Sequence, residues 1–275
     1  MAVATLPAAR SAAAAKTTSI GVSTLQIARR ALLHYLRTPQ LIVLGTIQGA
    51  MFLLIFRYVF GGAIPIKGGI PYVDFLVPGF ITTGVLFSGM NAATGAAEDL
   101  SQGFVDRLRS LPVPRSSFLT GRALADTVWN TWGLVITAAI GFAVGFRIHG
   151  SWVDALGALG LCVVFGFAFE WLFIMLGLLA GTAQAAQGMA LLVFPFTFVS
   201  SAYIPVSSMP GWMQAFASRQ PITYMVDSVR ILSQGHAAEV LIGHSAAYET
   251  THALLWSLAF VVVFAPLAAL KYRRS

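Results

Sequence analysis

Apolar residues run in six long stretches along this chain, at 41–60, 72–97, 123–146, 152–180, 188–204 and 251–270. Each is close to the roughly 20 residues a helix needs to cross a hydrocarbon core about 30 Å thick. None shows the short period-two alternation that marks the strands of a membrane barrel. The pattern therefore predicts an all-α integral membrane protein with six transmembrane helices. Pro78, Pro195 and Pro266 fall inside these stretches, an interruption that neighbouring helices can accommodate. Ahead of the first stretch, Leu25, Ala28, Leu32 and Leu36 recur at helical spacing, with Arg29, Arg30 and Arg37 elsewhere on the wheel. This predicts an amphipathic interfacial helix over 22–37, turned into the first span at Thr38-Pro39. Residues 1–21, rich in Ala, Ser and Thr, are expected to form a disordered cytoplasmic tail, leaving 22–275 as one transmembrane domain. No short apolar core with a cleavage site follows the early basic residues, so the tail does not read as a signal peptide.

Composition agrees: 57% of the residues are hydrophobic, 10% are charged and 20 are Phe, which excludes an ordinary water-soluble domain. The net charge of +7 is distributed by topology. With the N-terminus inside, 12 Lys and Arg fall on the inner side (Arg10, Lys16, Arg29, Arg30, Arg37, Arg107, Arg109, Arg115, Arg122, Lys271, Arg273 and Arg274) and 5 on the outer side (Arg57, Lys67, Arg147, Arg219 and Arg230). The bias predicts a multi-pass plasma-membrane protein with both termini cytoplasmic. Anionic lipid explains the positive charge better than nucleic acid, for which no base-reading motif is present.

Candidate chemistry is sparse. Cys162 is alone in an apolar span, and His34, His149, His236, His244 and His252 are scattered without metal-ligand spacing. No G-x-S-x-G or S-x-x-K setting activates a serine. The phosphate loop G-x-x-x-x-G-K-[ST] is also missing, and the only lysines are Lys16, Lys67 and Lys271. The chain is expected to carry no catalytic residue, metal or cofactor of its own and to be unable to hydrolyse ATP by itself. Glu170, deep in the fourth span, is the one strongly buried acid expected. It reads equally as a site for a cationic drug or a proton and as a neutral Glu hydrogen-bonded to a neighbouring helix.

Residues 97–126 form a charged island in this apolar chain. Within it, Glu98-Asp99-Leu-Ser-Gln-Gly103, Asp106-Arg107-Leu-Arg109-Ser-Leu-Pro112-Val-Pro-Arg115, Gly121-Arg122 and Asp126 resemble the cytoplasmic loop of the ABC-2 type permeases. The daunorubicin-resistance (DrrB-like) membrane subunits are the members it looks most like. A second block resembles the family's fifth span and the segment after it: Phe194-Pro195, Ser200-Ser201-Ala-Tyr-Ile-Pro205, Met209-Pro210-Gly-Trp212 and Gln220-Pro221-Ile-Thr-Tyr-Met-Val-Asp227-Ser-Val-Arg230. The two blocks come in the family's order. One departure is that many relatives carry Arg-Glu just before the island's glycine, whereas here Glu98 and Asp99 stand further upstream, which leaves open which carboxylate touches the motor.

The resemblance implies an ABC-2, or type V exporter-like, permease that dimerises with a second copy or a paralogue and binds a separate ABC ATPase subunit, on which ATP and Mg are held. It implies export of an amphipathic drug or lipid-like substrate across the plasma membrane. The family's coupling helix maps onto 103–111, with Gly103, Phe104, Asp106, Arg107, Leu108, Arg109 and Leu111 as the contacts to the ATPase. Phe104, Leu108 and Leu111 share one helical stripe while Asp106, Arg107 and Arg109 project elsewhere, a pattern suited to docking in a groove. The family also implies short re-entrant helices between spans five and six, with Trp212 and Tyr224 at headgroup depth. Asp227 and Arg230, three apart, are expected to pair as an exposed structural couple worth about 0.5 kcal/mol. By the same resemblance, spans two and five line the translocation pathway with Phe87, Met90, Asn91, Phe194, Phe198 and Ser201. The alternative reading is a proton-coupled secondary transporter using Glu170, against which no inverted repeat of broken helices is visible.

Overall fold

The computed structural model describes residues 19–61, 64, 66, 69–104, 114 and 116–274, and every regular element among them is helical. Helix α1 (Ile20–Leu36) opens at Ser19, whose hydroxyl accepts from the Val22 amide, so helix begins inside the expected tail; residues 1–18 lie outside the described residues. Its packed face is also not the expected one. Ile27, Ala28, Ala31 and Tyr35 are buried, while Leu25 and Leu36 are 71% and 64% exposed. The small Ala28 and Ala31 allow close approach to the later helix carrying Gly121, where a Cβ would come within 2.8 Å of the Thr24 carbonyl oxygen.

Helix α2 (Pro39–Leu54) starts on a proline, whose missing N–H costs nothing in a first turn, and runs on as π-helical turns over Ile55–Phe60. Val43, Ile47, Met51, Tyr58 and Val59 leave much of this helix apolar and exposed. Among the described residues, three helices are long and apolar enough to cross a membrane: α3 (Tyr72–Ser101), α5 (Trp152–Ala180) and α11 (Ala246–Arg274). α5 has the bounds expected of the fourth span, and Gly181 at φ 71° ends it. Between α3 and α5 stands α4 (Ser116–Ala143), which begins seven residues before the expected third span and so takes Arg122 into the same helix as Asp126.

The expected fifth span, 188–204, is not one continuous helix. It is broken into α6 (Ala183–Leu191) and α7 (Phe194–Phe198), followed by turns. Pro195 has no N–H to continue the α6 ladder but suits the first turn of a new helix. The carbonyls freed at the end of α7 are not left bare: the Gln220 side chain donates to the oxygens of Phe196 and Val199. Three shorter helices follow, α8 (Gly211–Ala217), α9 (Pro221–Gln234) and α10 (His236–Ile242). Trp212 on α8 is exposed, but Tyr224 on α9 is buried and stacked on His252 at 4.9 Å rather than facing outward.

α3 is the central post, with α4, α5, α6 and α9 packed around it, while α11 covers α5 and shows Leu254, Leu258 and Val262 outward. An apolar outer face suits lipid, where hydrophobic burial between helices is no driving force and close packing takes over. The α3–α5 contact uses glycine accordingly. Gly177 lies against the Ala93 carbonyl, and Gly89 lies under the Phe173 ring. Gly177→Val therefore forces the two backbones apart, and we expect it to cost at least about 1–3 kcal/mol. Cys162, the only cysteine and fully buried, reports this directly: a thiol-reactive dye should label it at a lower temperature in the variant than in the wild type.

Candidate functional site

Arg122, Asp126, Thr127 and Asn130 recur along α4 at i, i+4, i+5 and i+8, a spacing that puts them on one side of the helix. Arg122 is buried where α1, α3 and α4 meet. Its Nη1 donates to Asp99 Oδ2 at 3.0 Å and its Nε to Asp126 Oδ2 at 3.0 Å. Its Nη2 donates to the Tyr35 hydroxyl at 3.2 Å and to the Asn91 carbonyl at 3.3 Å. Room for the guanidinium exists because position 95 is glycine, since a Cβ there would collide with it. Tyr35 in turn donates to Asp126 Oδ1 at 2.7 Å, and Arg30 Nη1 donates to Asp99 Oδ1 at 3.0 Å. Two guanidiniums thus meet two carboxylates, with the remaining lone pairs and protons largely used, which is the condition for a buried ion cluster to hold together. Burial, reinforced by the Asp126 carboxylate, pushes the Tyr35 hydroxyl well above the ordinary tyrosine range and keeps it a donor.

The cluster reaches outward at one end and inward at the other. Arg30 lies over the Phe104 ring at 3.6 Å, just after Gly103 closes α3 with φ 67°. Of the residues expected to contact the ATPase, Gly103 and Phe104 are therefore placed beside the cluster; Asp106, Arg107, Leu108, Arg109 and Leu111 lie outside the described residues. Asp99 is committed to Arg30 and Arg122, whereas Glu98 has no ion pair among the described residues. On the inward side Tyr35 stacks on Trp129 at 4.7 Å.

Trp129 is a wall of a cavity of about 450 Å³ bounded by α2, α3, α4 and α7. Phe87, Met90, Asn91, Phe194 and Phe198 all line it, with the Phe87 and Phe194 rings 5.4 Å apart. Ser201 does not. Its hydroxyl donates to Asp227 Oδ1 at 2.7 Å and its carbonyl accepts from Arg230 Nη2 at 2.7 Å, away from the cavity. The break after α7 turns the chain there, which a reading of 188–204 as one helix places on the wrong face. Gln48, Trp129, Asn130 and Trp132 also line the cavity and were not expected to. The Trp-Asn-Thr-Trp run was the available signal, because an Asn between two Trp in an apolar span needs an explanation.

Glu170 is fully buried on α5 and faces this stripe. Asn130 Nδ2 donates to its Oε1 at 2.6 Å and Thr127 Oγ1 is 2.8 Å from its Oε2. The acid is hydrogen-bonded to a neighbouring helix, and no ion pair among the described residues includes it.

Asp227 and Arg230 do pair, at 2.6 Å, but the exposed couple expected is instead a buried one, with Arg230 0% exposed. Arg230 Nε donates to the Phe75 carbonyl at 3.1 Å, and the guanidinium lies 3.7 Å from the Phe75 ring centre. α9 is packed on α3, α5 and α11, which removes the solvent that its two charged residues suggested.

Sequence comparison agrees with this architecture. The profile of the ABC-2 type transporter family matches residues 23–232. The daunorubicin resistance ABC transporter permease protein DrrB1 of Streptomyces coeruleorubidus is 30% identical over 260 residues, 94% of this chain and 88% of the relative. The probable doxorubicin resistance ABC transporter permease protein DrrC of Mycobacterium tuberculosis is 25% identical over 257 residues, 92% and 88%. The inner membrane transport permease YadH of Escherichia coli is 27% identical over 198 residues, 70% and 74%.

Arg122→Leu strands Asp99 and Asp126 without their main partner and should destabilise the chain by about 3–5 kcal/mol. Adding Asp99→Asn and Asp126→Asn to that variant should recover much of the loss, since the stranded charges then disappear. Denaturant midpoints of the two variants, followed by Cys162 labelling, check both statements.

Proposed function

The chain belongs to the ABC-2 type transporter family, and from that premise we propose that it is the six-span permease subunit of an ATP-driven exporter of amphipathic drugs or lipid-like molecules. Its relatives are ABC transporter permease subunits and not themselves enzymes. The family implies a partner ATPase, and on this reading ATP and Mg are held there, with no cofactor in this chain. Spans one to six are α2, α3, α4, α5, the α6–α7 pair and α11, with α1 in the inner interface, α8 to α10 re-entrant and both termini cytoplasmic. A second copy or a paralogue completes the transporter.

One observation carries the reading: a continuous set of contacts runs from Phe104 to the cavity. It passes through Arg30, Asp99, Arg122, Asp126 and Tyr35 to Trp129. Phe104 belongs to the 103–111 segment that we assign to the ATPase, and Trp129 to the wall that we assign to substrate. Motor movement at Phe104 pulls on Arg30 and Asp99, and with them on the ends of α1, α3 and α4. α3 and α4 form cavity walls and α1 touches the wall through Tyr35 on Trp129, so displacement of the cluster changes the cavity's shape. ATP has to favour one of the two shapes for this to drive transport. Phe87, Met90, Phe194 and Phe198 offer the adaptable apolar surface that an amphipathic cargo requires, and Asn91 a polar contact.

The test is co-reconstitution with the candidate ATPase. The wild-type chain should co-purify with that ATPase and stimulate its hydrolysis. Leu108→Asp with Leu111→Asp should abolish both while leaving the Cys162 labelling temperature unchanged. Retained stimulation in that variant would remove 103–111 from the motor contact.

A further inference from the structure

Resting on the cavity as the substrate path, we infer that Asn130, backed by Glu170, recognises a protonated amine on the transported molecule. The hydrogen-bond accounting around Glu170 leads there. The Thr127 hydroxyl has one hydrogen, yet its oxygen lies 2.7 Å from the Ala123 carbonyl and 2.8 Å from Glu170 Oε2. The Ala123 carbonyl has no hydrogen to give, so Thr127 donates to it. Both contacts are then hydrogen bonds only when Glu170 is a carboxylic acid donating from Oε2 to Thr127 Oγ1. Its other oxygen accepts from Asn130 Nδ2 at 2.6 Å.

Asn130 is the residue between this acid and the cavity. It lines the cavity and is 5% exposed, and its Oδ1 is buried without a hydrogen-bond partner. A bare acceptor in an apolar wall is unfavourable unless something fills it, and its amide is already oriented by Glu170. The charge count names what fills it. Along the stripe, Arg30 and Arg122 are the cations and Asp99, Asp126 and Glu170 the acids. Asp99 and Asp126 are paired with the two guanidiniums, whereas Glu170 has no ion pair among the described residues, so either its own proton or a cation arriving in the cavity neutralises it.

An ammonium N–H donating to Asn130 Oδ1 completes the set. As it binds, Glu170 releases its proton to water and the Thr127 hydroxyl turns from the Ala123 carbonyl to donate to Oε2. The carboxylate then accepts from Asn130 Nδ2, and the ammonium and carboxylate are bridged by one amide, with no net charge added to the wall. Arg122 and Asp126 are the charged neighbours that act on Glu170, and they stay committed to each other. The aromatic residues Trp129, Trp132, Phe87 and Phe194 that line the cavity suit a cation with an apolar body.

The experiment uses the full chain in nanodiscs of zwitterionic lipid and a matched pair of fluorescent probes, dansylcadaverine and its neutral N-acetyl derivative. Binding is read as tryptophan-to-dansyl energy transfer above that of empty nanodiscs. Wild type should bind the amine at least about tenfold more tightly than the acetylated probe, the preference expected of a charge-assisted hydrogen bond. Glu170→Gln keeps the shape and both hydrogen bonds of the acid, so it should bring the ratio close to one without altering affinity for the acetylated probe. Asn130→Ala should do the same, with the acetylated probe reporting an intact cavity. Saturable binding of both probes without preference in wild type overturns the inference and leaves the cavity as a substrate path. A preference that survives Glu170→Gln does the same. Failure of both probes to bind saturably overturns both.

Discussion

Arg122 is a guanidinium buried between three helices of a membrane protein, and such a group is stable only where its charge is matched and its donors are used. Much of the arrangement follows from meeting that condition. Asp99 must come from the end of α3, Asp126 from the next turn of α4, and Tyr35 from α1, which fixes those helices against one another. Gly95 has to lack a side chain so that the guanidinium fits. Arg30, drawn to the other oxygen of Asp99, brings its own guanidinium over Phe104. The position of the last described residue before the 105–113 segment is therefore set by a charge buried in the adjoining helices.

A second buried guanidinium plays a matching part. Arg230 joins α9 to the Phe75 carbonyl of α3 and to the Ser201 carbonyl beyond α7. Asp227 supplies the counter-charge and holds the Ser201 hydroxyl. Gln220 from the start of α9 occupies the carbonyls left free where α7 ends. Irregular backbone inside a membrane persists only where protein groups replace the missing helix bonds, and α9 provides them. The cavity lies among α2, α3, α4 and α7, and of these walls α3 and α4 are held by Arg122 while the end of α7 is held by Gln220 and, through Ser201, by Arg230.

Long apolar stretches marked several of the helices, and α5 has the bounds read from hydropathy alone, while the 188–204 stretch is broken and α8 to α10 lie outside any such stretch. Charge spacing also carried information: Arg122 and Asp126 at i, i+4 and Asp227 and Arg230 at i, i+3 are real pairs. Their environment was not legible, because spacing along one helix says nothing of what packs over it. The same limit explains Ser201, which shares a segment with Phe194 and Phe198 yet turns from the cavity once Pro195 restarts the helix. It explains the face of α1 as well, where the partner surface selected Ala28 and Ala31 over the bulkier Leu25 and Leu36.

The sequence by itself determined that the chain is helical and membrane-embedded and that it belongs with the ABC-2 permeases, because apolar length and charged-island motifs are local properties carried by consecutive residues. Only the tertiary structure decided which charges are buried and which aromatic rings face one cavity, and it alone set Asn130 between that cavity and Glu170. Those facts depend on residues far apart in the chain meeting across helices, 40 positions for Asn130 and Glu170 and 155 for Phe75 and Arg230. Burial, which makes a hydrogen bond or an unpaired oxygen matter, is a property of the packed helices and of no single segment.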